Sequence, residues 1–356
     1  MPRMVTVREL PSPFLIVDLD AVDRNIERLQ RYCDEHGITL RPHVKTHKLP
    51  LLAHRQLAAG ARGIACQKLG EAEVMAGDGI DDILITFPLV GAEKAERFAA
   101  LAARARVSVG ADSDVVASGL SAALAARGAS AGFLVDCDTG FGRTGVQSPA
   151  AAADLAERVA ELPGLELEGL MTHPGTPESG PWLREARQQI EQRGLAVRCV
   201  SGGGTAGAFH LHEAGVFTEL RAGTYVYGDR RLAAIGVMAL EDCALRVVAT
   251  VVSRPTHGRA ILDAGSKTLT SDFSPGLDDG AYGLVVEYPD AILTGLSEEH
   301  GTLDLTGCDR RPEIGERVTI VPNHSCGAVN LHDEVALHRG GEAVEIVEVL
   351  ARGRVR

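Results

Sequence analysis

Aromatic residues are scarce, 4% of the chain with a single tryptophan, while alanine and glycine are abundant. That balance fits an α/β enzyme better than a β-sandwich. There is no basic excess: 36 Lys and Arg against 48 Asp and Glu leave a formal net charge of −12. Without a basic face to displace counterions, neither nucleic acid nor an anionic membrane is an expected partner. No apolar run reaches membrane-spanning length, and the opening MPRMVTVRELPSP has no apolar signal core. The seven cysteines (Cys33, Cys66, Cys137, Cys199, Cys243, Cys308 and Cys326) are odd in number, scattered and free of any CxxC. They do not form a disulfide framework, so a reducing cytoplasm is the expected compartment. Repeats, low-complexity tracts and long linkers are also missing.

What is present is alternation. Residues 14–19 (FLIVDL) read as a strand, and Asp20 can cap the amphipathic helix that follows to about His36. Eight further strand candidates are Thr39–Val44, Gly63–Gln67, Asp82–Phe87, Arg106–Gly110, Gly132–Asp138, Leu165–His173, Val197–Gly202 and Phe217–Tyr227. Helical segments such as AEKAERFAALAARA and PAAAADLAERVAEL lie between most of them. Repeated β-α alternation implies parallel strands with right-handed crossovers, and eight strands can close into a TIM-type barrel, with an open doubly wound sheet as the competitor. After about residue 232 strands follow one another with almost no helix: ALRVVATVVSRP, RAILDAG, TLDLTG, RVTIVPN and AVEIVEVL. The expected architecture is therefore α/β, a (β/α)8 barrel over residues 20–232. A mainly β second domain of 233–356 is joined by 1–19.

Catalytic groups of a barrel gather at the C-terminal ends of its strands. There RPHVKTHK packs Arg41, His43, Lys45, His47 and Lys48 into eight residues. A solvated basic turn is the bland alternative. On a strand, however, His43 and Lys45 share a face, which in a barrel can be the interior. A lysine among cations and apolar walls has its charged form disfavoured, and a neutral amine is what forms a Schiff base with an aldehyde. In VSGGGTAGAF a strand runs into Gly202, Gly203, Gly204 and Thr205 before a short helix, a phosphate-type turn where barrel phosphate sites often lie. DCDTGFGRTG contains a literal GxGxxG, yet it follows at least five strands instead of opening the first βαβ unit, which disfavours a dinucleotide site. Its Arg143 is better read as a cation for a carboxylate or a ring oxygen. His173, at another strand end, reads equally as a base or as a structural histidine. In the β domain, NHSCG offers His324 and Cys326 in an H-x-C pair. On a strand the two would project to one face, giving two metal ligands with room for water or substrate. Taken alone, such a pair is more often a core histidine beside a buried cysteine.

Together PSPFLIVDLDAVDRNI, RPHVKTHK, CQKLGEAEVM, DILIT, DTGFGRTGV, VSGGGT, ELRAGTYVYGD, ILDAGSKTLTSD, SEEHG and PNHSCGAVNLHDEV resemble the D-threonine aldolase / D-serine dehydratase family. This is the metal-dependent branch of the alanine-racemase-like (fold-type III) pyridoxal-phosphate (PLP) enzymes. The resemblance implies PLP carried on Lys45, with His43, Gln67 and Arg143 beside it. It implies Gly203, Gly204, Thr205 and Tyr225 on the phosphate, and a divalent metal on His324 and Cys326. Thiolate with imidazole suits Zn2+ better than Mn2+ or Mg2+. It also implies a homodimer and a small D-amino acid substrate. Dehydratase members resemble this chain in carrying H-x-C, where aldolases place a carboxylate. That favours β-elimination to keto acid and ammonia over retro-aldol cleavage to glycine and aldehyde, for which His173 is the candidate base. A PLP-dependent racemase, which needs no metal, and a non-catalytic PLP carrier, which usually lacks the β domain, are the alternatives. Gln67, Asp263 and His300 have no defined role in the reaction, and hydrogen bonding within the β domain is the expectation for the last two.

Overall fold

The computed structural model describes residues 6–273, 277, 280–341 and 343–356. The chain divides into two compact units, one of residues 28–45, 49–223 and 353–356, the other of residues up to Glu27, Thr46–Lys48 and Thr224–Arg352. Among the described residues β1 (Phe14–Asp18) and the last eight strands belong to the second unit, and the eight strands between them to the first.

The first unit holds β2 (Thr39–Leu40), β3 (Ile64–Cys66), β4 (Asp82–Ile85), β5 (Arg106–Ala111), β6 (Ala131–Cys137), β7 (Leu165–Thr172), β8 (Cys199–Gly202) and β9 (Glu219–Leu220). They form one parallel sheet in the order β2-β9-β8-β7-β6-β5-β4-β3. The gap between β2 and β3 is closed by a parallel bridge from His43 to Ala65. There the Val44 N–H donates to the Ala65 carbonyl at 2.9 Å, and the Ala65 N–H to the Pro42 carbonyl at 2.8 Å. The eight expected barrel strands are all present. All seven residues of β6 are buried, as a strand covered on both faces requires. The helices follow their sequence signals: Ser148 accepts from the Ala151 N–H at 3.1 Å with Pro149 in the first turn, and Gly128 ends Asp114–Arg127 in the left-handed conformation.

Several strands are a residue or two shorter than expected, and two are cut back much further. β2 stops at Leu40, because Pro42 has no N–H to give and residues 44–47 turn out of the sheet. Lys45 therefore lies in a turn instead of on a strand. β9 stops at Leu220, and residues 224–226 form a 3-10 turn.

One glycine sets a strand contact. Gly169 on β7 has φ +151°, and a Cβ there would stand 1.9 Å from the Cys199 carbonyl oxygen of the paired strand β8. A backbone carbonyl inside a sheet cannot retreat. Gly169→Ala is expected to destabilise the protein by about 4 kcal/mol or more, read from the midpoint of denaturant unfolding.

The second unit is a nine-stranded sheet of β1, β10 (Leu245–Thr256), β11 (Arg259–Leu262), β12 (Gly283–Val285), β13 (Ile292–Leu296), β14 (Gly301–Asp304), β15 (Arg317–Pro322), β16 (Glu334–Arg339) and β17 (Ala343–Glu348). Its order is β11-β14-β13-β12-β15-β10-β1-β16-β17, and β11 also pairs with β10. Six strands thus return on themselves as a barrel, with β1, β16 and β17 as an extension. All pairs are antiparallel except β1 with β16. The first strand pairs with β10 and β16 in this sheet. Asp263 and His300 are hydrogen-bonding residues here: Asp263 accepts from the Thr250 N–H at 2.7 Å and from the Ser12 hydroxyl at 2.6 Å. The His300 carbonyl accepts from the Ser297 N–H at 2.9 Å.

Candidate active site

Lys45 follows the His43 bridge, at the C-terminal end of the first barrel strand. Its ammonium donates to Gln67 Oε1 at 3.4 Å, and its backbone N–H lies 3.4 Å from His43 Nδ1. Gln67 is held in turn: its N–H donates to Glu71 Oε2 at 2.8 Å, and its side-chain amide to the Thr86 carbonyl at 3.4 Å. The His43 ring is buried, with Nε2 at 3.1 Å from the Thr86 hydroxyl. Burial, with the charges of Lys45, Arg221 and His173, holds His43 well below the ordinary imidazole range, so it is neutral. His173 is pushed down to about 4 by burial and by Arg143, Arg221 and Lys45. The sequence brought His43 and Lys45 forward together and Gln67 and His173 from other strand ends; the electrostatic influence of Lys45 and His173 on His43, and of Lys45 on His173, puts these groups near one another.

Arg221 is the residue the sequence reading passed over. It follows β9 and is buried, 5% exposed, a rare place for a guanidinium. Its Nε donates to the Ser201 hydroxyl at 2.8 Å and its Nη2 to the Thr172 carbonyl at 2.6 Å. The Ser201 hydroxyl donates to Glu219 Oε1 at 2.6 Å, and the other Glu219 oxygen accepts from buried Arg41 at 2.8 Å. The available signal was a charged residue inside ELRAG at a strand end, where an apolar residue would suffice for packing.

The two glycine loops differ in what their amides do. Asp138 Oδ1 accepts from the N–H groups of Gly140, Phe141 and Gly142 at 2.9, 2.8 and 3.1 Å. The same bonds hold the Asp138 carboxyl below its usual range, that from Gly142 first. The GxGxxG amides are thus taken by the chain's own carboxylate, and no dinucleotide cradle remains. Arg143, in this loop, is exposed, with its guanidinium 5.4 Å from the Phe141 ring centre. In the other loop, the Gly203 and Gly204 N–H groups have no hydrogen-bond acceptor among the described residues, although Gly203 is buried. Thr205 there opens the ten-residue 3-10 helix Thr205–Ala214. Donors left open at a helix start fit an anion such as phosphate.

In the second unit, β15 ends at Pro322, so the H-x-C pair is not on a strand. His324 is extended (φ −143°, ψ 102°) and caps the short helix Ser325–Val329, with Cys326 in its first turn. The ring and the thiol are still brought together by a side-chain hydrogen bond, the main reason the imidazole is raised to about 9. Cys326 Sγ lies 3.2 Å from the hydroxyl of Thr46, the residue after Lys45 in the chain, and 3.7 Å from that of Thr224. His324 Nδ1 is 2.7 Å from Asp272 Oδ2. Buried Asp229 accepts from the Ser325 N–H and caps Arg230–Ala234. Among the described residues no group of three or more His, Cys, Asp and Glu is arranged to hold a metal. Tyr225 is also in this unit and is buried.

Residues 17–231 match the family described as alanine racemase, N-terminal domain, and residues 244–338 match a serine dehydratase domain. The chain is 36% identical to D-threonine aldolase of Arthrobacter sp, covering 96% of this chain and 93% of that one. It is 35% identical to D-threo-3-hydroxyaspartate dehydratase of Delftia sp. (strain HT23), covering 90% and 92%. Among solved structures, D-threonine aldolase from Filomicrobium marinum superposes with a TM-score of 0.90 at 35% identity, over 99% of each chain. A metal-free cysteine-to-alanine variant of a D-threo-3-hydroxyaspartate dehydratase superposes at 0.88 and 30% identity, over 97% of this chain and 98% of that one. A second variant of that enzyme replaces a histidine two positions earlier.

Proposed function

The chain belongs to the alanine-racemase-like family of PLP enzymes, in the branch of the D-threonine aldolases and D-threo-3-hydroxyaspartate dehydratases, and from that premise we propose that it is a divalent-metal-dependent lyase removing the β-hydroxyl of a D-β-hydroxy-α-amino acid to give a keto acid and ammonia. The observation that carries this reading is the Lys45 amine. It is held by Gln67 at 3.4 Å beside the neutral ring of His43, at the strand ends of a parallel barrel. Bound PLP supplies an electron sink for the carbanion at Cα, and a bound metal supplies polarisation of the β-oxygen.

The chain's own groups divide the remaining work. Lys45 Nζ holds the cofactor and is the base that takes the Cα proton. Gln67 Oε1 fixes that amine, and His43 packs behind the turn that carries it. Arg221 supplies a fixed positive charge that helps to keep His43 and His173 neutral. The open amides of Gly203 and Gly204, with Thr205, fit the phosphate, and the resemblance adds Tyr225. Arg143 is assigned to a ring oxygen or to the substrate carboxylate. His324 and Cys326 fit a metal, with Zn2+ favoured over Mn2+ or Mg2+ because a thiolate is a soft ligand. The H-x-C spacing agrees with the histidine and cysteine two positions apart that were replaced in the dehydratase relative. None of the seven cysteines is in a disulfide, and the cytoplasmic compartment rests on their odd number and scattered spacing alone. No helix among the described residues is long and apolar enough to cross a membrane. The homodimer rests on the resemblance alone.

Incubation with D-serine and D-threonine tests the reading. Pyruvate and ammonia from D-serine support elimination. D/L interconversion insensitive to chelators would replace it with a racemase.

His173 favours one second reading, retro-aldol cleavage, because a neutral imidazole can take a hydroxyl proton. Its lowered pKa has a further consequence. Between about 6.5, the unfolded value, and about 4, the unfolded chain binds a proton at this residue that the folded one refuses. Stability is therefore lost as pH falls through that window, by up to about 3 kcal/mol from this residue. His173→Gln is expected to flatten the acid limb of stability against pH, measured by denaturant unfolding at pH 7 and pH 4.5. Glycine release from D-threonine is expected to fall about 10²–10⁴-fold in the same variant if His173 is the base.

A further inference from the structure

We propose that Asp272 is a positioning residue of the metal centre: its carboxylate fixes the His324 ring through Nδ1, so that Nε2 is the nitrogen given to the metal. The inference rests on reading His324 and Cys326 as ligands and goes beyond it, since it places Asp272 beside a ligand and not on the metal. Asp272 Oδ2 lies 2.7 Å from His324 Nδ1, and the two side chains are 50% and 47% exposed. An ion pair that open to water contributes little to stability. What it does offer is orientation. With Nδ1–H donating to a carboxylate, the lone pair released when a metal displaces the ring's second proton lies on Nε2, and that nitrogen is made a better ligand.

The segment carrying Asp272 is built against the H-x-C turn. The Asn323 side-chain amide donates to the Asp272 carbonyl at 3.1 Å and to the Ala281 carbonyl at 2.8 Å. The Asp272 N–H donates to the Thr270 hydroxyl at 3.2 Å. Next to Cys326, a Cβ on Gly327 would meet Thr270 Cγ2 at 2.8 Å and Asp272 Oδ2 at 3.3 Å, so the glycine admits the carboxylate to the turn. On the other ligand, the Thr46 hydroxyl at 3.2 Å and the Thr224 hydroxyl at 3.7 Å can donate to the sulfur. Each ligand thus has its own outer partner, as tuned metal sites do.

The test uses the full-length PLP-loaded protein, stripped of metal by dialysis against a chelator and titrated with Zn2+ in competition with a chromophoric chelator. Wild type is expected to take one Zn2+ per chain, and His324→Ala to lose it. Asp272→Ala is expected to bind Zn2+ about 10–100-fold more weakly with the visible absorption of lysine-bound PLP unchanged. Asp272→Asn, which keeps an oxygen acceptor for Nδ1, is expected to lose less. Wild-type affinity in Asp272→Ala overturns the inference and leaves the ligand assignment standing. An equal loss in both Asp272 variants overturns orientation as the cause. Zn2+ binding indifferent to His324→Ala removes the ligand reading, and the role of Asp272 with it.

Discussion

Lys45→Ala is expected to lose the visible absorption of lysine-bound PLP and to lower turnover of the D-amino acid at least about 10³-fold. The size follows from two duties falling on one nitrogen. In the proposed reaction the Nζ atom both anchors the cofactor and takes the α-proton, and the two residues beside it cannot replace it: His43 is buried and engaged by Thr86, and Gln67 has no basic nitrogen. Lys45→Arg is the informative companion, because it keeps the charge but has no amine that condenses with an aldehyde. It is expected to fail in the same way while unfolding at the wild-type denaturant midpoint. Lys45 is half-buried in a turn, so neither substitution opens a core cavity. PLP absorption persisting in Lys45→Ala would move the covalent link to another lysine and dismantle the assignment.

The barrel was legible because its strands are buried on both faces and its helices carry a separate period; AGFLVDC at residues 131–137 and the capped PAAAADLAERVAE at 149–161 could hardly be read otherwise. The site was legible as residue types, not as geometry. Lys45 and the H-x-C pair were both expected on strands, where alternation aligns side chains, and both lie in turns. The reason is shared. A side chain that must reach chemistry sits where the backbone leaves the sheet, and local propensity says little about the direction it takes there. His324 and Cys326 still meet because a helical first turn, like a strand, can bring residues two apart together when the first is the extended cap. Arg221 and Asp272 stayed hidden for a different reason. Their partners, Ser201 and Thr172 for one and His324 for the other, lie 20 to 52 positions away in sequence, and one chain without its fold gives no such pairing.

Removing the metal is expected to separate binding from chemistry. Dialysis against a chelator should lower turnover of a D-β-hydroxy amino acid by several kcal/mol, about 10²–10⁴-fold, with the absorption of lysine-bound PLP intact. In the proposed reading the two duties part because Lys45, Gln67 and the 203–205 loop belong to one unit, and His324 and Cys326 to the other. Zn2+ is expected to restore the chelated wild type but not His324→Ala, which leaves Cys326 as a single ligand. Cys326→Asp exchanges a soft thiolate for a hard carboxylate and is expected to shift the restoring ion from Zn2+ toward Mn2+ or Mg2+. The hydroxyls of Thr46 and Thr224 suit either ligand, since both a thiolate and a carboxylate accept hydrogen bonds. In the proposed reaction chelation acts on the β-oxygen step alone, so exchange of the α-proton with deuterated solvent should fall less than product formation. Equal loss of both, or full turnover without metal, would mean that the imidazole and thiol at the end of β15 serve the fold and not the reaction.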